Sequence, residues 1–154
     1  MKKRIYLIAV IGILFDQITK LFAYLYLKNI ELIPGFFNLT YVENTGGAWG
    51  ILDNNRIILI GVSIFTLLII NKYINSDVFI SKLLSISYGL LLGGIFGNLF
   101  DRIFRGFVID FLNFNIFGYN FPVFNVADSL IVIGIILMFI EVIRGSHGSK
   151  SRKK

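Results

Sequence analysis

The sequence predicts an all-α membrane protein: four transmembrane helices with a small extracytoplasmic β element. Three observations carry this. Of 154 residues, 56% are hydrophobic and only 16% charged, with a mean hydropathy of +0.78. A soluble domain of this size needs more polar surface to cover itself. Four apolar runs, at residues 5–27, 57–74, 83–104 and 123–143, are long enough to cross a hydrocarbon core about 30 Å thick. The basic residues are segregated, most of them to one side of these runs.

The first run follows the basic start Lys2-Lys3-Arg4 and is interrupted by Asp16, Gln17, Thr19 and Lys20. A cleaved signal peptide has a shorter apolar core and a small-residue cleavage site, so this run is expected to stay as a helix. Residues 28–56 form a polar and aromatic connection, punctuated by Pro34-Gly35. Within it, 36–42 is rich in β-formers and predicts a strand or hairpin at the membrane surface. Asn44-Thr45-Gly46-Gly47 reads as a turn. The second run, 57–74, is almost free of polar groups. The third carries Gly93, Gly94 and Gly97, small residues that allow helices to approach closely in lipid. Residues 105–122 make a second aromatic-rich connection. Its Phe107, Phe111, Phe114, Phe117, Tyr119 and Phe121 suit an interfacial layer. After the fourth run, 144–154 is basic and rich in Ser and Gly and is expected to be disordered. The expected division is a membrane domain over 1–144 and a basic cytoplasmic tail over 145–154.

The net charge is +6. Ten of the fifteen basic residues lie at the two termini, in the 75–82 connection and at its edge, Lys72. Four, Lys28, Arg56, Arg102 and Arg105, lie on the other side, and Lys20 is within a span. The positive-inside rule then places both termini in the cytoplasm. The charge is explained by topology, and no nucleic-acid partner is expected. The absence of cysteine excludes disulfides, a thiolate nucleophile and a cysteine metal site. The single His147 sits in the polar tail. No metal and no cofactor are expected.

Depth brings the polar residues together. At about 1.5 Å per residue, Asp16 lies roughly 18 Å from the cytoplasmic edge, and Lys20 one turn further out. The third run travels outward, so Asn98, Asp101 and Arg102 fall at its outer end. The fourth travels inward, so Asn125 and Asp128 fall at its outer start. Asn44 and Asp110 belong to the outer connections. All of them therefore share one layer near the outer surface.

Structural roles account for some of these groups. Asp16 and Lys20, four apart, can neutralise each other. Asp101 and Arg102 lie at a helix end, where charges reach water. Asn98 and Asn125 can join helices by hydrogen bonds. Asp128 resists such an account, because no cation stands three or four positions away and an ionisable group in lipid is by default a functional candidate. Asp110 is bracketed by Val108, Ile109, Phe111 and Leu112, an apolar setting for a loop charge. Two neighbouring carboxylates that share a proton can activate water and polarise a carbonyl. That chemistry is peptide hydrolysis at a membrane surface. The same carboxylates also suit proton or ion transport.

Five motifs occur in order along the chain: Asp16-Gln17-Ile18-Thr19-Lys20, Asn44-Thr45-Gly46-Gly47-Ala48-Trp49-Gly50, Gly97-Asn98-Leu99-Phe100-Asp101-Arg102, Val108-Ile109-Asp110-Phe111 and Phe124-Asn125-Val126-Ala127-Asp128. In this order and placement the chain resembles the bacterial lipoprotein (type II) signal peptidases over nearly its full length. Gly47 stands where Ala is usual and Ile109 where Val is usual, changes of bulk and not of chemistry. The resemblance implies an aspartic endopeptidase of the bacterial cell (inner) membrane with its active site at the outer face. Its substrates would be prolipoproteins whose cysteine carries diacylglycerol, cut on the amino side of that cysteine, and membrane lipids and the peptide inhibitor globomycin would be further partners. It implies Asp110 and Asp128 as the catalytic pair. It also implies Asp16, Lys20, Asn44, Gly46, Asn98, Asp101, Arg102, Asn125 and Ala127 as the supporting or substrate-binding set. Local charge agrees with Asp110 over Asp101, because Asp101 has Arg102 beside it and Arg105 one turn on. A proton-coupled transporter built on Asp16, Asp101 and Asp128 is the alternative. A transporter needs polar groups along its whole path, and the cytoplasmic half of these spans is nearly bare.

Overall fold

A computed structural model of the chain describes residues 1–76 and 80–151, with side chains as far as Arg144. Among the described residues, four helices are long and apolar enough to cross a membrane. They are α1 (Lys2–Tyr26), α2 (Arg56–Asn75), α3 (Lys82–Phe104) and α4 (Val126–Ser151), the last with its apolar span over Val126–Arg144. The connections supply β1 (Asn29–Ile33), β2 (Phe37–Asn44), β3 (Val108–Ile116) and β4 (Tyr119–Asn120). A short 3-10 turn, Ala48–Gly50, follows β2.

α3 is the central helix. It packs on α1, α4 and α2 and is the one mostly buried, whereas α2 and α4 leave most of their apolar surface open. In lipid an open apolar face costs nothing, so contact is set by close packing rather than hydrophobic burial. Glycine permits that packing: a Cβ on Gly94 would lie 2.3 Å from the Ala127 carbonyl oxygen of α4. The close approach expected of Gly93 and Gly94 is thus present. Ser81 starts α3 as an N-cap, its hydroxyl accepting the Leu84 N–H at 3.1 Å.

The β element is larger than the sequence suggests. The first connection forms a hairpin, β1 against β2, turning at Gly35 with φ +68°. The second connection, expected only as an interfacial aromatic layer, forms β3, which pairs antiparallel with β2. The sheet order is β1-β2-β3-β4. The aromatic residues divide accordingly. Phe111 is buried under the sheet with Ala23, Leu27 and Ile109, while Phe117 is fully exposed. Phe114 stacks between Phe37 and Phe124, and Phe124 and then Trp49 meet the ring of Phe121.

Two boundaries also move. α4 begins at Val126, not 123, because Phe124 is tied to β3: its N–H donates to the Leu112 carbonyl at 3.1 Å, and its own carbonyl accepts from Phe111 and Leu112. The segment expected to be disordered from 144 continues α4 to Ser151. The tail's last residues, 152–154, and the middle of the 75–82 connection, 77–79, lie outside the described residues.

Candidate active site

Asp128 is placed by a helix start. Asn125 N–H donates to Asp128 Oδ2 at 3.1 Å, and Asp128 N–H donates to Asn125 Oδ1 at 3.0 Å. This is a reciprocal capping box, Asn-x-x-Asp, ahead of an apolar run. That spacing is visible in the sequence, where it signals a helix start at 126. Asp110 is placed by strand alternation. Ile109 and Phe111 turn to the core beneath the sheet, and Asp110 turns to the opposite face with Val108. Asn98 and Arg102, four apart on α3, share one helix face. Asn44 ends β2.

Three asparagines converge on the two carboxylates. Asn44 and Asn125 each turn an Nδ2 to Asp110, at 2.8 and 2.6 Å, and Asn98 turns its Nδ2 to Asp128 at 2.8 Å. Each amide is held in that orientation by a group that can only donate. Asn44 Oδ1 accepts from the Gly46 N–H, Asn98 Oδ1 from the Lys20 ammonium, and Asn125 Oδ1 from the Asp128 N–H. Arg102 reaches the loop after β2, donating through Nη2 to the Gly46 carbonyl at 2.9 Å.

Burial pushes the Asp110 carboxyl up to about 7, and the nearby Asp128 charge adds to this; hydrogen bonds from Asn44 and Asn125 and the charge of Lys20 oppose it. A carboxyl whose folded pKa lies above its unfolded value contributes stability below the unfolded range, lost as pH rises through the folded pKa. Wild-type thermal stability in detergent should therefore decline between the ordinary carboxylate range and pH about 7. Asp110→Asn should show a flatter profile over that window. A wild-type slope equal to the variant's would contradict it.

Behind this layer lies a second, centred on three fully buried charges. Lys20 Nζ is 2.8 Å from Asp16 Oδ2 and 2.9 Å from Asp101 Oδ2, and all three side chains are shut from solvent. Arg105 completes it as a second ion pair to Asp101. The neutralisation of Asp16 by Lys20 is as expected from their spacing. The supporting set thus divides. Asn44, Asn98 and Arg102 line a cavity with the two carboxylates, whereas Asp16, Lys20, Asp101 and Ala127 sit behind it. Gln17, quoted in a motif but not singled out, is half-buried at the edge of this layer. Its Nε2 donates to Asp16, Asp101 and the Gly97 carbonyl, and its Oε1 accepts from Arg105.

The cavity holds about 790 Å³ and is walled by apolar and aromatic groups, among them Trp49, Phe121, Phe124 and Val132. Two carboxylates facing an apolar-walled cavity at the end of a bundle of membrane-length helices fit a helical membrane enzyme as the class. The comparisons agree. Two solved bacterial membrane enzyme structures obtained by the in meso method superpose with TM-scores of 0.86 and 0.81, at 37% and 38% identity. They cover 95% and 92% of this chain and 90% and 93% of theirs. Lipoprotein signal peptidases of Staphylococcus aureus strains JH9 and Newman are each 37% identical over 150 residues, 96% of this chain and 92% of the relative. The signal peptidase (SPase) II family model matches residues 8–144, and the chain belongs to that family.

Proposed function

We propose that the chain is an aspartic endopeptidase that removes signal peptides from diacylglyceryl-modified prolipoproteins, cutting on the amino side of the lipidated cysteine. The single observation behind the aspartic assignment is the convergence of Asp110 and Asp128 on one apolar-walled cavity, each held by asparagine N–H groups. Signal-peptide removal itself is the activity of the family to which the chain belongs. Nothing in the comparisons supports the transporter reading.

In this reading Asp128 sits in the first turn of α4, where the helix N-terminus favours negative charge. It takes a proton from water as the oxygen adds to the scissile carbonyl. Asp110, in surroundings that favour the neutral acid, gives its proton to the carbonyl oxygen. As the tetrahedral intermediate collapses, Asp128 returns its proton to the nitrogen and one hydroxyl gives a proton back to Asp110; the C–N bond breaks, the amine of the lipidated cysteine leaves, and the signal peptide keeps the new carboxyl group. The apolar walls suit acyl chains and an apolar signal sequence, and globomycin would compete for the same cavity. Cleavage of a lipidated precursor by the purified protein, blocked by globomycin, is the expected result. Cleavage equally fast for an unlipidated precursor would count against the substrate assignment.

The same reading sets the protein in the bacterial cell membrane, with residues 1–144 as the peptidase domain and 145–154 as a cytoplasmic tail. Both termini are cytoplasmic and the sheet and cavity lie at the outer face, since most basic residues flank the opposite ends of the spans. Cysteines introduced at Ser149 and Asn54 should label from opposite sides of the membrane. Labelling of both from one side would reverse this arrangement.

A further inference from the structure

Two carboxylates of the buried ion cluster accept main-chain N–H groups of other elements, and each of those groups lies one residue before a carboxylate of the proposed pair. Asp16 Oδ1 accepts the Ala127 N–H at 2.8 Å, immediately ahead of Asp128. Asp101 Oδ2 accepts the Ile109 N–H in a longer contact of 3.4 Å, immediately ahead of Asp110. The Ala127 N–H is one of the donors a helix start leaves without an intrahelical partner, and here a residue of α1 satisfies it from outside α4. Lys20 binds both anchors and also Asn98 Oδ1 of α3 at 2.9 Å, so α3, α4 and β3 are linked through one ammonium, the last two by way of the anchoring carboxylates.

We propose that Asp16 and Asp101, joined by Lys20, form a two-ended backbone clamp that presets the separation of Asp110 and Asp128. The proposal rests on the assignment of those two residues as the catalytic pair. Asp16, Lys20 and Asp101 are then positioning residues. They line no part of the cavity and act through the backbone of Ala127 and Ile109 and through the amide of Asn98. The physical reason for a charged clamp is stiffness. A buried carboxylate bridged to a buried ammonium has few alternative positions, because leaving either charge unpaired is costly. Two segments from distant parts of the chain, a strand and a helix start, are thereby held to a common reference point. Proton sharing needs that separation held closely.

The test uses the full-length protein in detergent, a diacylglyceryl-modified precursor peptide, and rates normalised to folded protein. Asp16→Ala removes the acceptor of the Ala127 N–H. Asp16→Asn removes the charge and keeps an acceptor oxygen. Gly97→Ala leaves every charge in place but adds a Cβ 2.5 Å from Asp16 Oδ2, pressing the anchor out of position. Asp128→Asn reports on the pair itself. In the folded fraction, Asp16→Ala should lower kcat by about 100-fold with KM changed by less than about threefold, the cost of a misplacement near 1 Å. Asp16→Asn, which keeps the acceptor for the Ala127 N–H but loses the ionic bridge to Lys20, should recover part of that loss, and Gly97→Ala should lower kcat in the same selective way. A merely structural cluster would lower folded yield and leave the kcat of folded Asp16→Ala and Gly97→Ala at the wild-type value, which overturns the clamp. Where Asp16→Ala gives no folded protein, Asp16→Asn and Gly97→Ala decide. Folded Asp16→Asn as inactive as Asp128→Asn, or Gly97→Ala with wild-type kcat, overturns it. Cleavage by Asp128→Asn would instead mark the failure of the catalytic assignment.

Discussion

Asparagine in place of either Asp110 or Asp128 should remove cleavage by on the order of 10⁴-fold, with the double variant losing no more than the single ones. Two groups that pass one proton between them act as a unit, so the first substitution already removes the mechanism. Asparagine keeps the size of the side chain, so each variant should stay folded and still bind globomycin. Asp101→Asn is the contrast. Asp101 is fully buried, with its oxygens held by Lys20, Arg105, Gln17 and the Ile109 N–H. Asp101→Asn keeps an acceptor for the Ile109 N–H but loses its ionic bridges, so it should lower stability or yield and, in the folded fraction, cost far less rate than either Asp110→Asn or Asp128→Asn. Single-turnover cleavage at matched folded concentration separates the cases. Full activity in Asp110→Asn, with none in a well-folded Asp101→Asn, would move the pair to Asp101 and Asp128.

The second large effect is on stability. Lys20→Met removes the one ammonium shared by Asp16 and Asp101. Asp101 keeps Arg105 as a partner, but among the described residues Asp16 keeps only the Ala127 N–H and the Gln17 amide. Leaving a buried charge without its counter-ion costs about 3–5 kcal/mol, whereas removing both members of a pair together is close to neutral. Lys20→Met should therefore lower the unfolding temperature in detergent markedly, and Asp16→Asn added to it should restore much of the loss. Equal destabilisation by the single and double variants would show that the packing of Lys20, not its charge, is what α1 and α3 need.

The membrane spans are legible from composition because lipid imposes a length and an apolar character on any segment that crosses it. The polar residues of the site stand out for the same reason: in a span, a carboxylate or amide has few structural excuses. Hydropathy alone misplaces the start of α4 at 123, because it runs the helix back through Val123 and Phe124; the Asn125-to-Asp128 spacing carries the signal for a start at 126. β3 was not legible. Aromatic and β-branched residues serve equally well in an interfacial layer and in a strand, and nothing local to 108–116 says that β2 is available to pair with it.

By itself the sequence determined that this is a helical membrane protein, that its unusual polar groups share one end of the spans, and which aspartates lack a nearby cation. It did so because helical rise, lipid thickness and side-chain charge are local properties. Only the tertiary structure decided how those groups divide. Spacing puts Asp16 and Lys20 on one face of α1 and Asn98 and Arg102 on one face of α3, but not which face meets which neighbour. Gln17, one position from Asp16 and so on a different face by spacing, turns out to reach Asp101 and Arg105 across the α1–α3 contact. The separation into a cavity layer, with Asp110, Asp128 and three oriented amides, and a buried ion cluster behind it depends on contacts between elements 60 and more positions apart, such as Asn44 to Asp110 and Lys20 to Asn98. Such contacts exist only once the helices have packed and the two connections have paired into a sheet.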